Sequence, residues 1–340
     1  MNKNKTGGVL KTPSLEKEKW STFVLNHSHG NIFQSPEFFE ACENYEKYEP
    51  VIITIKENGE LAGVLQAIVQ KEKKGFWGRF TARSIIWGAP LVKDNNLNLL
   101  SKILQKYNSK IKNKAIYSQF RNLWSLSEDE KQVFLNNGFL YEDHLDIIHD
   151  LSLSVDNQFM KMHKGRRKNI RRAEKAGLNF KEVSAPSDLE KCIALIEDTY
   201  ERVKLPVPDR DFFRKSFICL GLDGYLKVFA AFLNNKVIGT RMVFCYKDLI
   251  YDWYAGADER HLDKYPNDYL PWKIMEWGSN EGYGYFDFGG AGKPGVPYGV
   301  REYKLKFGGE LVDYGRFQTV HKPLLMQLGK IGFKVYKKMK

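Results

Sequence analysis

The sequence predicts an α/β (α+β) protein made of two similar halves, each with a mixed, largely antiparallel sheet flanked by helices. Strand-like and helix-like segments alternate along the chain. Two hairpin sequences also match in detail, NGELAG at 58–63 and NNKVIG at 234–239. With 340 residues, 43% of them hydrophobic, the chain exceeds the usual size of one domain. We therefore expect two domains, 1–150 and 151–340, related by duplication.

In the first half, strands are predicted at 50–56 and 60–70, on either side of Asn58-Gly59. This dipeptide is typical of a two-residue hairpin turn, because both residues tolerate a positive φ. Short strands are predicted near the middle and end of this half, and helices between them. The expected helices span 36–46, 97–112 and 128–136, and the expected strands span 115–120 and 145–153.

In the second half, a strand meander is predicted over 225–233, 236–246 and 249–257, with turns at Asn234-Asn235 and Lys247-Asp248. A helix over 157–176 has Asp156 as a possible cap, Gly177 as its end, and Gly165 as a place where it could break. The remaining expected elements are helices at 188–203, 209–220 and 267–281 and a strand at 285–288.

Positive charge is concentrated in two segments. Residues 161–175 hold eight Lys or Arg against Glu174, which is +7 of a formal net charge of +12, and residues 322–340 add six lysines. Solvated helix faces usually mix both signs, so a run this basic indicates an anionic partner. Phosphates are the natural candidates. On the predicted helix the spacing places five cations in one stripe: Lys161, Lys164, Lys168, Arg171 and Lys175.

The C-terminal segment 322–340 predicts a basic amphipathic helix that begins at Pro323. Its apolar face packs on its own domain in the favoured interpretation, and a peripheral contact with anionic lipid is the alternative. The chain shows neither a long apolar run nor a secretory signal. We expect a monomeric cytoplasmic protein, with the inner face of the membrane as the alternative location.

Several chemistries are disfavoured by the sequence. The four cysteines form no CxxC pair and the seven histidines show no metal-ligand spacing, so we expect reduced thiols and no metal site. There is no GxSxG motif, and the glycine-rich segment 289–299 lacks the signature of a nucleotide-binding loop. No cofactor is predicted.

Four segments resemble the FemA/FemB-like peptidyltransferases, an aminoacyl-tRNA-dependent branch related to the GNAT acyltransferases. Residues 167–177 resemble the family's R-x-x-I-R-x-A-x-K-x-G segment, 33–38 its F-x-Q-S opening, and 253–257 its W-Y-x-G strand. Residues 285–290 and 299–309 together resemble its D-F-G-G…G-x-x-x-[FY]-K-x-x-F-G closing block. The matches follow the family's order over nearly the whole chain.

The resemblance implies two tandem GNAT-like domains that meet at a cleft, without the coiled-coil arm of some members. It implies transfer of an amino acid from aminoacyl-tRNA to an amine of a peptidoglycan precursor, nucleotide- or lipid-linked. Such a reaction uses no metal and no covalent enzyme intermediate. The partners implied are aminoacyl-tRNA and the cell-wall precursor.

The resemblance also assigns candidate catalytic residues in the closing block. Lys304 is expected near the reacting carbonyl or the tRNA 3′ end. Tyr303 could stack on a terminal base or fill the core. Asp287 could orient a substrate group, take a proton, or simply cap the local backbone.

Substrate-binding residues are assigned in the same way. Arg167 is expected on a substrate phosphate, supported by Lys168 and Arg171. Tyr254 is expected in the acceptor pocket, and Arg301 belongs to the closing block. One departure concerns the first domain, where relatives place a basic residue and this chain has Cys42 and Glu43. That phosphate contact is therefore open.

Two other functions remain as alternatives. An acyl-CoA-dependent N-acyltransferase needs a glycine-rich turn after the central strand, to expose N–H groups to the CoA pyrophosphate. Residues 258–266 contain no glycine and three acids, which favours tRNA. A non-catalytic RNA-binding protein would use the basic run alone.

Overall fold

The computed structural model describes residues 17–72, 78 and 80–328, in which two seven-stranded sheets are flanked by helices. The strands before residue 143 are β1 Tyr48–Glu57, β2 Glu60–Gln70, β3 Arg83–Trp87, β4 Leu91–Val92, β5 Tyr117–Arg121 and β6 Leu140–Glu142. The helices of this half are α1 Lys17–Asn26, α2 Pro36–Glu43, α3 Leu97–Ile111 and α4 Glu128–Asn136.

The part of the chain after residue 143 repeats the same kinds of element, and its first strand, β7, lies on the N-terminal side of the predicted boundary at residue 150. Its strands are β7 Leu145–Asp150, β8 Asn179–Glu182, β9 Leu226–Leu233, β10 Lys236–Tyr246, β11 Leu249–Ala257, β12 Tyr285–Gly292, β13 Glu310–Asp313 and β14 Arg316–Val320. Its helices are α5 Val155–Lys161, α6 Lys164–Lys175, α7 Pro186–Arg202, α8 Arg210–Gly221, α9 Pro266–Asn280 and α10 Gly299–Leu305. The predicted fold class, hairpins and meander are confirmed.

The two sheets exchange a strand. The first sheet has the order β1-β2-β3-β5-β14-β6, with β4 beside β2, and the second has the order β13-β7-β12-β11-β10-β9-β8. Strand β14, near the end of the chain, therefore lies between β5 and β6 of the first sheet. Strand β7 lies between β12 and β13 of the second. The boundary at residue 150 stays a prediction. Each sheet contains one strand from the other side of that boundary.

The duplication extends to backbone detail. Both hairpins carry a bulge at the same position after the turn: Ala62 is the extra residue in β2, and Ile238 is the extra residue in β10. Each sheet also has one parallel pair, β3 with β5 and β11 with β12. The helices α2 and α8 begin alike, because their N-caps accept a hydrogen bond from a Phe amide. These shared features support the duplication predicted from the two hairpin sequences.

The predicted single helix over 157–176 is two helices, and its break lies at Met162-His163 instead of Gly165. His163 has an extended ψ of 137° and its side chain accepts a hydrogen bond from the Gly165 amide. It therefore caps α6, and Ser154 caps α5. As a result, Lys161 lies on a different helix from the other four cations of the predicted stripe.

An aromatic core joins the two halves. The Phe33 ring lies 5.4 Å from the Trp87 ring in the first half, and 5.4 Å and 5.2 Å from the Phe244 and Tyr251 rings in the second. Such pairs add to the stabilisation from apolar burial. The two halves are thus packed against each other through this aromatic core.

The C-terminal helix begins as predicted, with residues 323–328 helical. Leu324 and Leu328, on its predicted apolar face, are exposed. The rest of this helix, with five of its six lysines, lies outside the described residues, so the lipid contact stays a prediction. No helix within the described ranges is long and apolar enough to span a bilayer.

Candidate functional site

The candidate site lies where two parallel strands separate. Strands β11 and β12 pair only between Leu249–Tyr251 and Tyr285–Asp287, whereas β12 stays paired with β7 from Tyr285 to Gly292. In β11, Trp253 is the extra residue of a bulge opposite β10. The separation leaves carbonyl groups of β12 without a strand partner, and α10 fills the gap.

Lys304 satisfies those carbonyl groups. Its Nζ donates to the backbone oxygens of Phe288, Gly289 and Gly290 at 2.6, 3.1 and 2.9 Å. An ammonium group has three hydrogens, so all of its donors are used by the protein. Burial lowers the pKa of Lys304, and nearby carboxylates oppose this. The side chain therefore holds the glycine-rich end of β12 in place, and it would have to release a carbonyl to reach a substrate oxygen.

Asp287 lies in the same gap. It is 2% exposed, and its Oδ1 accepts a hydrogen bond from the Gly289 amide at 2.6 Å. Its other oxygen has no hydrogen-bond partner among the described residues. Burial raises the pKa of Asp287 to about 6, and burial together with Asp287 raises that of Asp146. Such raised carboxyl pKa values are common at functional sites.

Tyr303 is held in a polar network. Its hydroxyl accepts a hydrogen bond from Arg241 at 3.0 Å and donates to the Asn267 carbonyl at 2.5 Å. The Arg166 guanidinium lies 4.6 Å from the centre of its ring and forms a buried ion pair with Asp268. These contacts hold the half-buried Tyr303 against the core beside the site, and a role in base stacking stays a prediction.

Arg301 and Arg167 both bind backbone carbonyls. Arg301 donates to the oxygens of Ala291, Lys293 and Val296, which closes the glycine-rich loop. Arg167 donates to the oxygens of Met160 and Met162, at the end of α5. In this arrangement both guanidinium groups stabilise local structure.

Lys168 and Arg171 are exposed on α6, where Arg171 lies over the Phe159 ring at 5.3 Å. Together with Arg167, they are absent from the described walls of the two interdomain cavities. Exposed cations on α5 and α6 make no ion pair with a described carboxylate. We call this group the basic surface; it comprises Lys161, Lys164, Lys168, Arg171, Arg172 and Lys175.

Tyr254 lines a cavity of about 350 Å³ between the halves, which we call the cationic cleft. Four cations and one described acid, Glu72, line it, together with several aromatic rings. The cations are Lys47, Lys71, Arg83 and Arg121, and the rings include Tyr45, Tyr48, Trp87, Phe212, Trp253 and Tyr254.

Arg121 is the distinctive residue of the cationic cleft. Its guanidinium lies 5.7 Å from the Trp87 ring centre, and its Nε donates to Gln119 at 3.0 Å. Burial lowers its pKa, and no described carboxylate pairs with it. A half-buried guanidinium without a carboxylate partner is available to bind an anion. The sequence reasoning missed Arg121, whose only signal is its position directly after a predicted strand.

The departure at Cys42 and Glu43 is explained by this geometry. Cys42 is fully buried in α2 and Glu43 is exposed, away from the cleft lining. The first half supplies the cleft cations from β3 and β5 instead, as Arg83 and Arg121, and from the residues just before β1 and just after β2, as Lys47 and Lys71.

Hydrogen bonds to the carboxylate of Asp258 hold the connection between β11 and α9 in place. Asp258 accepts hydrogen bonds from the backbone amide and Nε of Arg260 at 3.1 and 2.9 Å, and from Lys236 at 3.2 Å. The hydrogen bond with Arg260 is the main cause of its lowered pKa. The carboxylate of Asp258 therefore occupies a backbone N–H group that the pyrophosphate of CoA would need free. Within the described residues, no group of three potential ligands is arranged to hold a metal ion.

Comparison with known proteins places these features in a family context. Residues 160–305 match the family model described as the acetyltransferase (GNAT) domain. This range includes the separated strands, Asp287 and Lys304. No curated protein matches the chain in sequence.

Solved structures share the two-domain fold. The crystal structure of FemX is 17% identical, with a TM-score of 0.73 over 92% of this chain and 98% of that one. The C-terminal domain of a putative lysylphosphatidylglycerol synthetase from Agrobacterium fabrum is 14% identical, with a TM-score of 0.58 over 92% and 93%. A tandem GNAT protein from the clavulanic acid biosynthesis pathway is 8% identical, with a TM-score of 0.55 over 90% and 94%. The fold is thus a tandem GNAT fold, as the family resemblance implied.

Proposed function

We propose that this chain, an acyltransferase with the tandem GNAT fold of FemX, transfers an aminoacyl group from aminoacyl-tRNA to an amine of an anionic peptidoglycan precursor. The observation that carries the proposal is Arg121, a half-buried guanidinium without a described carboxylate partner, in a cleft lined by three further cations that each pair with a carboxylate. Phosphate groups of a nucleotide- or lipid-linked precursor fit such a cleft. A putative synthetase of lysylphosphatidylglycerol, by name an aminoacylated phospholipid, shares the fold.

The reaction is the aminolysis of an ester. The acceptor nitrogen adds to the ester carbonyl carbon, the C–N amide bond forms, and the C–O bond to the tRNA ribose breaks. The proton lost by the amine goes to the leaving ribose oxygen. Nothing is oxidised or reduced, so positioning and stabilisation of the developing negative charge account for the catalysis.

The basic surface supports aminoacyl-tRNA as the donor substrate. It lies beside α9, because Asn169 and Arg166 of α6 both bind Asp268 in the first turn of α9. An unpaired group of cations is suited to the phosphate backbone of an RNA. Asp258, which fills the strand-to-helix connection, opposes the binding of CoA at that position.

The test is a transfer assay with total charged tRNA and with nucleotide-linked and lipid-linked precursors, read by mass spectrometry. We expect an aminoacyl mass increment on one precursor. Acetyl-CoA should not bind tightly in calorimetry. Micromolar affinity for acetyl-CoA, with acetyl transfer in place of aminoacyl transfer, would instead establish the N-acyltransferase alternative.

The cationic cleft is tested by Arg121→Gln, with Lys102→Gln as a matched exposed control. We expect Arg121→Gln to raise the KM for the acceptor at least about tenfold, since a hydrogen bond between charged groups is worth roughly 1.5–3 kcal/mol. An unchanged KM would remove the acceptor from this cleft.

The RNA interaction is tested by Lys168→Gln combined with Arg171→Gln. Each lost phosphate contact should lower the slope of log affinity against log salt by roughly 0.7 to 0.9. An unchanged slope would exclude the basic surface from RNA binding. If RNA binding persists in Lys304→Ala and no transfer is ever seen with the unmodified protein, the chain is an RNA-binding protein only.

A further inference from the structure

Two cysteine side chains lie close together where the two halves meet. Cys42 belongs to α2 in the first half, and Cys219 belongs to α8 in the second. The two helices pack against each other, with Cα atoms of one within 8 Å of Cα atoms of the other. Both thiols are free, and both residues pack in the same apolar cluster. The proposed reaction uses neither of them.

The side chain of Asn44 shows where the sulfur of Cys219 lies. Asn44 is the C-cap of α2, and its Nδ2 donates to the Glu40 carbonyl at 2.9 Å and to the Cys219 Sγ at 3.8 Å. The Cys219 sulfur therefore lies beside the last turn of α2, which is the turn that carries Cys42. The two thiols are close enough to interact: burial is the main cause that raises the pKa of Cys42, and Cys219 adds to it.

The two thiols differ in their access to solvent. Cys42 is fully buried, whereas Cys219 is half-buried. A dissolved oxidant therefore reaches Cys219 first, because buried thiols are inert. The hydrogen bond that Asn44 donates to the Cys219 sulfur favours the thiolate, which is the form that reacts with oxidants. Cys42 is protected from the oxidant itself and lies within reach of the sulfur that the oxidant modifies.

We propose that Cys42 and Cys219 form a reversible disulfide when the protein meets hydrogen peroxide. In the first step, the Cys219 sulfur attacks the peroxide, the O–O bond breaks, and Cys219 becomes a sulfenic acid with release of water. In the second step, the Cys42 sulfur displaces the hydroxyl group of the sulfenic acid, and its thiol proton leaves with that hydroxyl as water. One peroxide is thus reduced to two waters, and two thiols are oxidised to one disulfide.

The disulfide joins two walls of the cationic cleft. Phe38 of α2 and Phe212 of α8 both line that cleft. A covalent link between their helices fixes the two walls relative to each other, and a thiol reductant releases them. The thiol chemistry does not depend on the proposed function, so failure of either one leaves the other standing.

The test treats the folded, reduced protein with hydrogen peroxide, blocks the remaining thiols, digests without a reductant and maps linked peptides by mass spectrometry. We expect a peptide pair linked through Cys42 and Cys219, lighter than the separate peptides by two hydrogen atoms and split by dithiothreitol. The buried Cys192 and Cys245 should stay reduced. Absence of the linked pair overturns the proposal. Since a disulfide requires Cα atoms about 4.4–6.8 Å apart, a pair that forms only after unfolding in urea overturns it as well.

Two variants test the order of the steps. In Cys42→Ala the sulfenic acid on Cys219 has no partner, so its labelling by dimedone should rise at least about fivefold over the unmodified protein. Unchanged labelling overturns the proposal. Cys219→Ser changes a half-buried position and keeps the test decisive if Cys42→Ala does not fold. Cys42 should then stay a thiol in peroxide, and its oxidation in Cys219→Ser would show that it does not depend on Cys219.

Discussion

Lys304 combines a candidate catalytic position with a structural task. Its ammonium group replaces the strand partner that β12 loses where it separates from β11. The family resemblance indicated this lysine, but no sequence pattern predicts that three carbonyl groups depend on it. A substitution here therefore needs a stability measurement beside the activity measurement.

We expect Lys304→Met to abolish turnover and to lower the free energy of unfolding by about 1–3 kcal/mol, because it leaves buried carbonyl groups without donors. Chemical denaturation and the transfer assay measure the two effects. Lys306→Met is the matched control: Lys306 is exposed at the C-cap of α10, and its loss should change stability by about 0.5 kcal/mol or less. A fully stable, inactive Lys304→Met would show that the lysine acts in catalysis without supporting β12.

Asp287 should make stability depend on pH. Burial is the main cause of its raised pKa, and Asp252 on β11 adds to it, against Lys304 on α10 and the Gly289 amide. Asp146 on β7 is the other acid with a raised pKa nearby. Since the folded pKa of about 6 exceeds the usual 3.8, the contribution of Asp287 to stability is full below pH 3.8 and is lost as the pH rises through about 6.

Asp287→Asn replaces the ionisable carboxyl group with an amide, so the variant does not lose this stability as the pH rises. We expect the difference in Tm between Asp287→Asn and the unmodified protein to become more favourable to the variant between pH 5 and pH 8. Thermal melts at both pH values check this, with Asp248→Asn, at an exposed position, as the control. A difference that does not change with pH would mean that Asp287 is ionised at pH 5.

At the scale of elements, the packing of β11 explains why residues 253–256 carry the W-Y-x-G pattern. A Cβ atom at Gly256 would lie 2.5 Å from the backbone carbon and oxygen of Leu195, where α7 crosses β11. Trp253 is the bulge residue of the same strand, and Tyr254 then faces the cationic cleft. The glycine permits the close approach of α7, and the bulge directs the aromatic side chains.

We expect Gly256→Ala to destabilise the fold by at least about 1–3 kcal/mol, because the backbone of α7 must move. The control is Gly63→Ala in β2, where the nearest atom to a new Cβ is Val92 Cγ1 at 3.4 Å. That change should cost less than about 1 kcal/mol. Urea denaturation of both variants provides the comparison, and equal effects would contradict the packing explanation.

At the scale of the whole molecule, the exchange of β7 and β14 couples the two halves. Phe317 of β14 is fully buried in the first sheet and stacks on Phe134 of α4, with ring centres 4.3 Å apart. The last described strand of the chain thus completes the core of the first half. Unfolding of the two sheets should be cooperative.

Phe317→Ala should lower the free energy of unfolding by about 3–5 kcal/mol. Hydrogen exchange should become faster in β5 and β6, far from residue 317 in sequence, because both strands pair with β14. Leu311→Ala, at an exposed position in β13, is the control and should leave exchange in β5 unchanged. Protection of β5 that survives Phe317→Ala would show that the sheets unfold independently.

The sequence by itself determined the α/β class, the two hairpins, most helix bounds to within a few residues, and the closing block that contains Asp287 and Lys304. These follow from local turn chemistry, periodicity and a motif. Only the tertiary structure decided that β7 and β14 change sheets, that Arg167 binds its own backbone, and that Arg121 and Arg83 line a cationic cleft. The physical reason is that strand pairing and charge burial depend on residues distant in sequence, and neither leaves a local pattern.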